Sequence, residues 1–209
     1  MTGVQTCALP ILGVDILFHP SKEEMYPTGY KTFVEIKNIT EQLCGKSRPD
    51  LFQGVATIVL KLFNIIQPQN AFFGEKDWQQ LAVIENLVKD LNLDVAIIRV
   101  PLVRESDGLA MSSRNRYLSV QERQSALSLS RTLQKAQDQI RQGITSAKTI
   151  NNLIQKRLLE TEGAKIDYIS ICDPVNFKEK EQIRGRTLIA LAVKIGPSRL
   201  IDNCIIEEI

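Results

Sequence analysis

The sequence predicts an α/β protein, with a parallel-sheet domain followed by a small α+β domain. Two observations carry that expectation. Between residues 51 and 100, segments of helical spacing alternate with short apolar runs, the rhythm of a parallel sheet with crossover helices. After Pro101 the order becomes two long amphipathic helices and then three strand-like runs, which suits a mainly antiparallel sheet.

Val14–Phe18 (VDILF) is a short apolar strand candidate that ends near Pro20. Thr32–Ile36 (TFVEI) alternates and is β-branched, as a half-buried strand is. Leu51–Ile66 is apolar at helical spacing and stops just before Pro68, whose ring disfavours helix in the residue ahead of it. Asn70–Phe73 is a short strand leading into Gly74. Within Asp77–Asn92, Leu81, Ile84, Leu87, Val88 and Leu91 fall on one helical face. Asp94–Val100 (DVAIIRV) is a buried-strand candidate that terminates at Pro101, and the domain boundary is expected near Leu102.

Beyond that point Ser119-Val-Gln-Glu122 has the form of a capping box, opening a helix that runs to about Gln142. Leu129, Leu133, Ala136 and Ile140 give it an apolar stripe, and Gly143 ends it. A second helix covers Ser146–Thr161. The strands expected after it are Ile166–Cys172, Leu188–Lys194 and Leu200–Glu207.

Composition narrows the partners. Hydrophobic residues at 44% and charged residues at 24% are ordinary for a soluble globular protein. A formal net charge of +2 gives no reason to expect nucleic acid or an acidic membrane surface. The longest apolar stretch, Val55–Ile66, is broken by Lys61 and Asn64 and falls short of the ~20 residues that span a bilayer. Cys7, Cys44, Cys172 and Cys204 form no C-x-x-C pair, and with one histidine no zinc cluster can be built locally. Free thiols in a reducing cytoplasm are the expectation. Residues 1–11 (MTGVQTCALPI) lack the basic and apolar regions of a secretory signal and are set aside as a non-native tail; an ordinary chain terminus is the alternative.

Two segments carry chemistry. Phe72-Phe73-Gly74-Glu75-Lys76-Asp77-Trp78-Gln79-Gln80 sits where a strand ends and a helix begins, the place at which open α/β sheets bind ligands. Gly74 admits close backbone approach, Lys76 offers a cation for phosphate, Asp77 an acceptor for a ribose hydroxyl, and Gln80 an amide one turn on. A solvated turn with Asp77 as helix N-cap is the competing reading. Val103 to Asn115 (VRESDGLAMSSRN) joins small residues, two hydroxyls and Arg114, a set able to clamp a triphosphate and close over a substrate. A polar interdomain loop in which Ser112 or Ser113 caps a short turn fits equally well.

In this order and at this separation the two segments resemble the pantoate–β-alanine ligases. Met25-Tyr26-Pro27, Ser47-Arg48-Pro49, Phe52-x-Gly54-Val55 and Arg199-Leu200-Ile201-Asp202-Asn203 extend the resemblance over residues 12–209. It implies a Rossmann-like nucleotidyltransferase domain with a parallel sheet, incomplete here, over residues 12–102, and a small lid-like α+β C-terminal domain over residues 103–209. Met111–Arg114 is similar to the K-M-S-K-S loop of class I aminoacyl-tRNA synthetases. The implied reaction is a two-step ligation: pantoate attacks the α-phosphorus of ATP to give pantoyl adenylate, and β-alanine then displaces AMP. By position, Gly74, Glu75, Lys76, Asp77, Val103, Met111, Ser112, Ser113 and Arg114 would contact ATP. Lys76, Ser112, Ser113 and Arg114 would stabilise phosphate charge in the transition state, and Gln80 would bind pantoate. Arg48 would help hold a carboxylate or phosphate. The resemblance also implies Mg²⁺ carried with ATP rather than by protein side chains, a homodimer in the full-length form, and no nucleic-acid or membrane partner.

The chain departs from that family in two places. The family's His-x-Gly-His motif cannot occur in a chain with one histidine, and that one, His19, lies in a loop after a strand candidate. The expectation is an N-terminally truncated sequence impaired in catalysis. Asp50-Leu51 also stands where Gly-His is usual, replacing a polar ring with leucine. Two other readings compete: an adenylyl-transfer enzyme for another small acid, and a non-catalytic binding or dimerisation module.

Overall fold

The computed structural model describes residue 13 and residues 15–207. Residues 1–12 and Val14 lie outside it, so the tail and the start of the first expected strand do too. The chain divides into two compact units, Met1–Phe33 and Val34–Ile209.

In the first unit, α1 (Lys22–Met25) opens with a capping box. The Ser21 N–H donates to Glu24 Oε2 at 2.6 Å and the Glu24 N–H donates to Ser21 Oγ at 3.1 Å. Tyr26 meets Tyr30 edge-on at 5.1 Å, and Tyr30 meets Phe33 likewise at 5.6 Å. The expected strand Val14–Phe18 does not form over its described residues, where Ile16, Leu17 and Phe18 are exposed. An apolar run becomes a strand only when a neighbour accepts its ladder, and these residues have no such neighbour among those described.

The second unit opens with an extended segment. The expected strand Thr32–Ile36 has the alternation of one, with Val34 and Ile36 packed inward, yet it joins no sheet among the described residues. Its Val34 N–H donates instead to the Thr57 hydroxyl on the following long helix, at 2.9 Å. Then come α2 (Cys44–Ser47), α3 (Leu51–Ile66), β1 (Asn70–Gly74), a 3₁₀ turn over Glu75–Asp77, α4 (Trp78–Asp90) and β2 (Ala96–Val100). α3 ends in a left-handed Gln67 just ahead of Pro68. β1 and β2 pair in parallel, with Phe72 beside Ile98.

For the expected buried strand Asp94–Val100 the structure differs. The strand begins at Ala96, and its exposed positions include Ile98 opposite the exposed Phe72. The parallel sheet has two strands among the described residues, so β2 lacks the flanking neighbours and second helical layer that bury such strands.

The remaining elements are α5 (Val120–Arg141), α6 (Ala147–Leu159) and the antiparallel sheet β3 (Ala164–Cys172), β4 (Thr187–Ile195) and β5 (Ser198–Ile206), in that spatial order. Ser119 and Glu122 form the expected capping box, and the stripe Leu129, Leu133, Ala136 and Ile140 is buried. β4 is the centre of the unit. Its Ile189, Leu191, Val193 and Ile195 pack under α5 and α6. Its alternate residues Leu188 and Ala190 pack against Trp78 and Ala82 of α4, with Leu43 and Phe177. Because a strand's side chains alternate, one strand joins the C-terminal core to the strand–helix corner of the parallel sheet.

Two local features prepare the site. The β4–β5 hairpin turns on Gly196-Pro197, with Gly196 at φ +53, the geometry of a type II′ turn. A Cβ there would run into the Glu122 carboxylate. The loop after β2 is stapled down by Arg123 of α5, whose Nη2 lies 2.6 Å from Glu105 Oε2 and whose Nε donates to Asp107 Oδ2 at 2.8 Å. Both carboxyls are held below their ordinary values. For Glu105 the largest cause is the hydrogen bond from Asn115, followed by that from Arg123. For Asp107 it is the Leu109 N–H, with Arg123 adding to it.

Gly196→Ala therefore costs about 1–2 kcal/mol, from the left-handed backbone and from displacing the capping carboxylate, as urea unfolding would show. Acid should release the loop. A carboxyl depressed by folding stabilises at neutral pH, and that contribution disappears as pH falls through the folded value. The Arg123 Nε–H resonance should thus persist at neutral pH and be lost once Glu105 and Asp107 protonate, below their ordinary 4.5 and 3.8. Titration of Glu105 at its ordinary value in the unaltered chain would show that the staple does not form.

Candidate functional site

Beside the C-terminal end of β1 lies a cavity of about 180 Å³, walled by α2, the start of α3, the corner 76–80, Arg114 and strands β3 to β5. Each wall has its own reason for being there.

The corner forms because β1 ends at Gly74, a 3₁₀ turn follows, and α4 begins at Trp78. Trp78 is 5% exposed, and its indole N–H donates to the Pro174 carbonyl at 2.9 Å. The guanidinium groups of Arg99 and Arg186 lie 5.1 and 5.5 Å from its ring centre. With the tryptophan fixed, Lys76, Asp77 and Gln80 line the cavity. Asp77 occupies the N-cap position of α4 but makes no capping bond; its carboxylate stands 4.0 Å from Lys76 Nζ. No partner among the described residues occupies the Gln80 amide.

Gln79, the neighbour that sequence reasoning passes over, is buried and fully engaged. Its Nε2 donates to the carbonyls of Ile39 and Gln42 at 2.8 and 2.7 Å, and its Oε1 accepts from the Cys44 N–H at 2.9 Å. One side chain thus holds residues 39–44 against α4 and carries Cys44 and Arg48 to the cavity wall. A signal for it exists: residues 79, 82, 83 and 86 share a helical face that holds Ala82 and Val83. Gly45 is required in that wall because the Thr40 carbonyl fills the space a Cβ would take. Leu51 and Phe52 add an apolar patch, so the leucine of Asp50-Leu51 does face the cavity.

The opposite wall comes from the antiparallel sheet. Arg199 of β5 donates through Nε and Nη2 to Asp167 Oδ2 at 2.9 and 2.6 Å, lies 3.5 Å from Cys44 Sγ, and sits over the Tyr168 ring at 5.8 Å. Burial, with the Cys44 thiol beside it, raises the Tyr168 hydroxyl well above its ordinary value, so it remains a protonated donor. Asp202 and Asn203, next along β5, complete this side. They belong to a motif that carries the family resemblance, but the sequence assigns them no role.

Most of the residues singled out in sequence meet here. Lys76, Asp77, Gln80, Arg48 and Arg114 line the cavity, and Ser112 lines a small recess that also touches Lys76, Arg199 and Asp202. Ser112 also caps the 3₁₀ turn Ser113–Tyr117 by accepting from the Arg114 N–H at 3.3 Å. Gly74, Glu75, Val103, Met111 and Ser113 are not among the lining residues, and Val103 and Met111 are more than half exposed. Of the lining side chains, Arg48, Lys76, Arg114 and Arg199 are cationic and Asp77 and Asp202 anionic. Such a surface suits a compact polyanion, which it can bind and whose developing charge it can offset.

Cys44, Cys172 and Cys204 are free thiols, and burial pushes Cys172 and Cys204 up to about 12, so both stay protonated at neutral pH. Among the described residues no helix is long and apolar enough to cross a membrane.

Comparison with known proteins agrees with this geometry. The pantoate-beta-alanine ligase family model matches residues 5–205. The pantothenate synthetase of Acetivibrio thermocellus is 55% identical over 195 residues, 93% of this chain and 69% of its own length. That of Geobacter sulfurreducens is 49% identical over 94% of this chain and 69% of its own. The crystal structure of pantothenate synthetase from Thermus thermophilus superposes with a TM-score of 0.91 at 40% identity, covering 96% of this chain and 73% of that one. A Francisella tularensis pantoate-beta-alanine ligase, described as complexed with beta-gamma ATP and beta-alanine, gives 0.73 at 36% identity over 98% of this chain and 70% of that one. The parallel β1–α4–β2 unit, the antiparallel sheet and these matches place the chain in the pantoate–β-alanine ligase family.

Proposed function

We propose that the chain carries the phosphate- and substrate-positioning wall of an ATP-dependent ligase that joins pantoate to β-alanine through pantoyl adenylate. The observation behind this reading is the meeting of Lys76, Asp77 and Gln80, from one helix start, with Arg48 and Arg114 around one cavity. That cavity is smaller than the roughly 300–1,000 Å³ of whole-ligand pockets, so it fits part of the reacting assembly rather than all of it.

In the first step a pantoate carboxylate oxygen bonds to the α-phosphorus, the bond to the β-phosphate bridging oxygen breaks, and pyrophosphate leaves. Lys76 and Arg114 offset the charge that builds on the phosphates, with Ser112 and Ser113 donating alongside. Gly74 and Glu75 supply backbone near the nucleotide, Asp77 accepts from its ribose, and Val103 and Met111 border its base. Gln80 turns its unpaired amide to pantoate, and Arg48 steadies a carboxylate or phosphate. In the second step the β-alanine amine attacks the acyl carbon, AMP departs, and the nitrogen loses a proton. Mg²⁺ would travel with ATP and neutralise phosphate charge. The described residues hold no group of three carboxylate, thiol or imidazole ligands, so in this reading it would be held by phosphate oxygens and water.

The sequence has one histidine, so the family's His-x-Gly-His pair is not among its residues, and His19 is given no catalytic role in this reading. The reading also includes a boundary near Leu102, residues 103–209 acting as a lid, a cytoplasmic location and a homodimer in the full-length form.

The test is pantoate-dependent ATP–pyrophosphate exchange in a chain extended by the His-x-Gly-His segment of a pantothenate synthetase. Exchange should depend on pantoate and fall about 10²–10³-fold in Lys76→Ala, while Gln80→Ala chiefly raises the KM for pantoate, by about tenfold. Exchange supported by another acid and not by pantoate would transfer the assignment to a different adenylyl-transfer reaction.

A further inference from the structure

Two neighbouring residues of β5 touch both anion-facing segments. Asp202 has 2% of its side chain exposed. It accepts both prongs of Arg104, from Nη1 at 2.8 Å and from Nη2 at 3.0 Å, and its Oδ1 also accepts the Asn203 N–H at 2.8 Å. Arg104 Nη1 donates as well to the Gly108 carbonyl at 3.1 Å, inside the loop that leads to Ser112 and Arg114. That loop is a tight one: the Glu105 N–H donates to the Leu109 carbonyl and the Met111 N–H to the Val103 carbonyl, at 2.8 and 2.9 Å. On the other side, the Asn203 amide nitrogen donates to the carbonyls of Glu75 and Lys76 at 3.0 and 2.9 Å.

We infer that Asp202 and Asn203 are positioning residues that set the spacing between the two phosphate-facing segments, Asn203 holding the corner 75–76 and Asp202, through Arg104, holding the loop 104–111. Neither segment bonds directly to the other among the described hydrogen bonds; β5 is their common anchor. A buried ion pair is a weak source of stability, but its fork geometry fixes position well. Lys76 and Arg114 act on one polyanion only if their separation is fixed before it arrives, because displacements near 1 Å are costly in such sites. Lys180 shows by contrast what a local tie looks like. Its Nζ donates to the Arg184 and Arg186 carbonyls at 3.0 and 2.8 Å and to the Thr187 hydroxyl at 3.2 Å, so all its partners lie within seven positions along the chain.

The inference rests on the ligase reading only for its nucleotide arm. Three variants separate the roles: Asn203→Ala, Arg104→Lys and Asp202→Asn. In hydrogen–deuterium exchange of the unliganded chain, Asn203→Ala should raise exchange at residues 75–78 alone and Arg104→Lys at 104–111 alone. Asp202→Asn should raise both while β3 and β4 stay protected. Loss of protection throughout the sheet in Asp202→Asn, or a single-segment response, would overturn the relay, and the two milder variants still decide it if Asp202→Asn fails to fold. In calorimetry with a non-hydrolysable ATP analogue and Mg²⁺, Asn203→Ala should weaken binding about tenfold. Arg114→Ala should then cost less in that background than in the parent chain. Strict additivity would leave Asn203 a local prop and sink the coupling. If the parent chain bound no analogue, the ligase reading would fail, and the exchange pattern would still judge the relay.

Discussion

The burial of Trp78 at the joint between two sheets is the constraint from which the rest of the site follows. A tryptophan can be buried this deeply only if its N–H finds an acceptor, and the Pro174 carbonyl supplies one from the loop between β3 and β4. Truncating such a side chain typically costs about 3–5 kcal/mol, more than any one surface contact in the molecule can restore. With Trp78 seated on Leu188 and Ala190, the first turn of α4 has no rotational freedom. Lys76 and Asp77 just before it, and Gln79 and Gln80 just after it, take their directions from that anchor. The buried Gln79 directs its amide to residues 39–44, while Gln80, one position on, lines the cavity.

Charge placement shows a second constraint. The buried Asp202 is tolerable because Arg104 and the Asn203 N–H occupy it; without them an isolated carboxylate would cost about 3–5 kcal/mol. The surface pair Arg141–Asp138, both largely exposed, is worth a few tenths of a kcal/mol by comparison. Conformational stability therefore comes from the C-terminal core, where α5 and α6 cover β4. The ion pairs near the cavity contribute mainly geometry.

Much of this is legible in the sequence, for identifiable reasons. The helices at 51–66, 120–141 and 147–159 and the three C-terminal strands follow from periodicity, a capping box and a terminating glycine, all local signals. Lys76, Arg114 and Gln80 stand out because their neighbours form compact motifs. What fails is non-local. Thr32–Ile36 alternates as a strand does, but the Thr57 hydroxyl is a partner that no sequence pattern reveals. Ile98 reads as buried because residues of parallel strands usually are, whereas burial depends on strands and helices elsewhere in the sheet. Asp202 and Arg104 are 98 positions apart, and nothing along the chain pairs them. Gln79 is overshadowed by the adjacent Gln80, although its helical face already marks it as buried.

The same geometry sets the charge that the cavity wall presents. Four cationic side chains share a cavity of about 180 Å³ with two carboxylates, and one of those, Asp202, is already committed to Arg104. Asp167 takes up part of Arg199's charge, while Arg114 and Arg48 have no carboxylate among the ion pairs of the described residues. A polyanion that paired with these cations in the folded chain alone would stabilise the fold by linkage. The cavity thus presents cationic side chains on a frame held by the uncharged Trp78 joint, a match for a ligand carrying several negative charges at close spacing. A neutral metabolite would form none of these charge-assisted contacts, so in the proposed reading selectivity for phosphate rests on four cations set against two carboxylates.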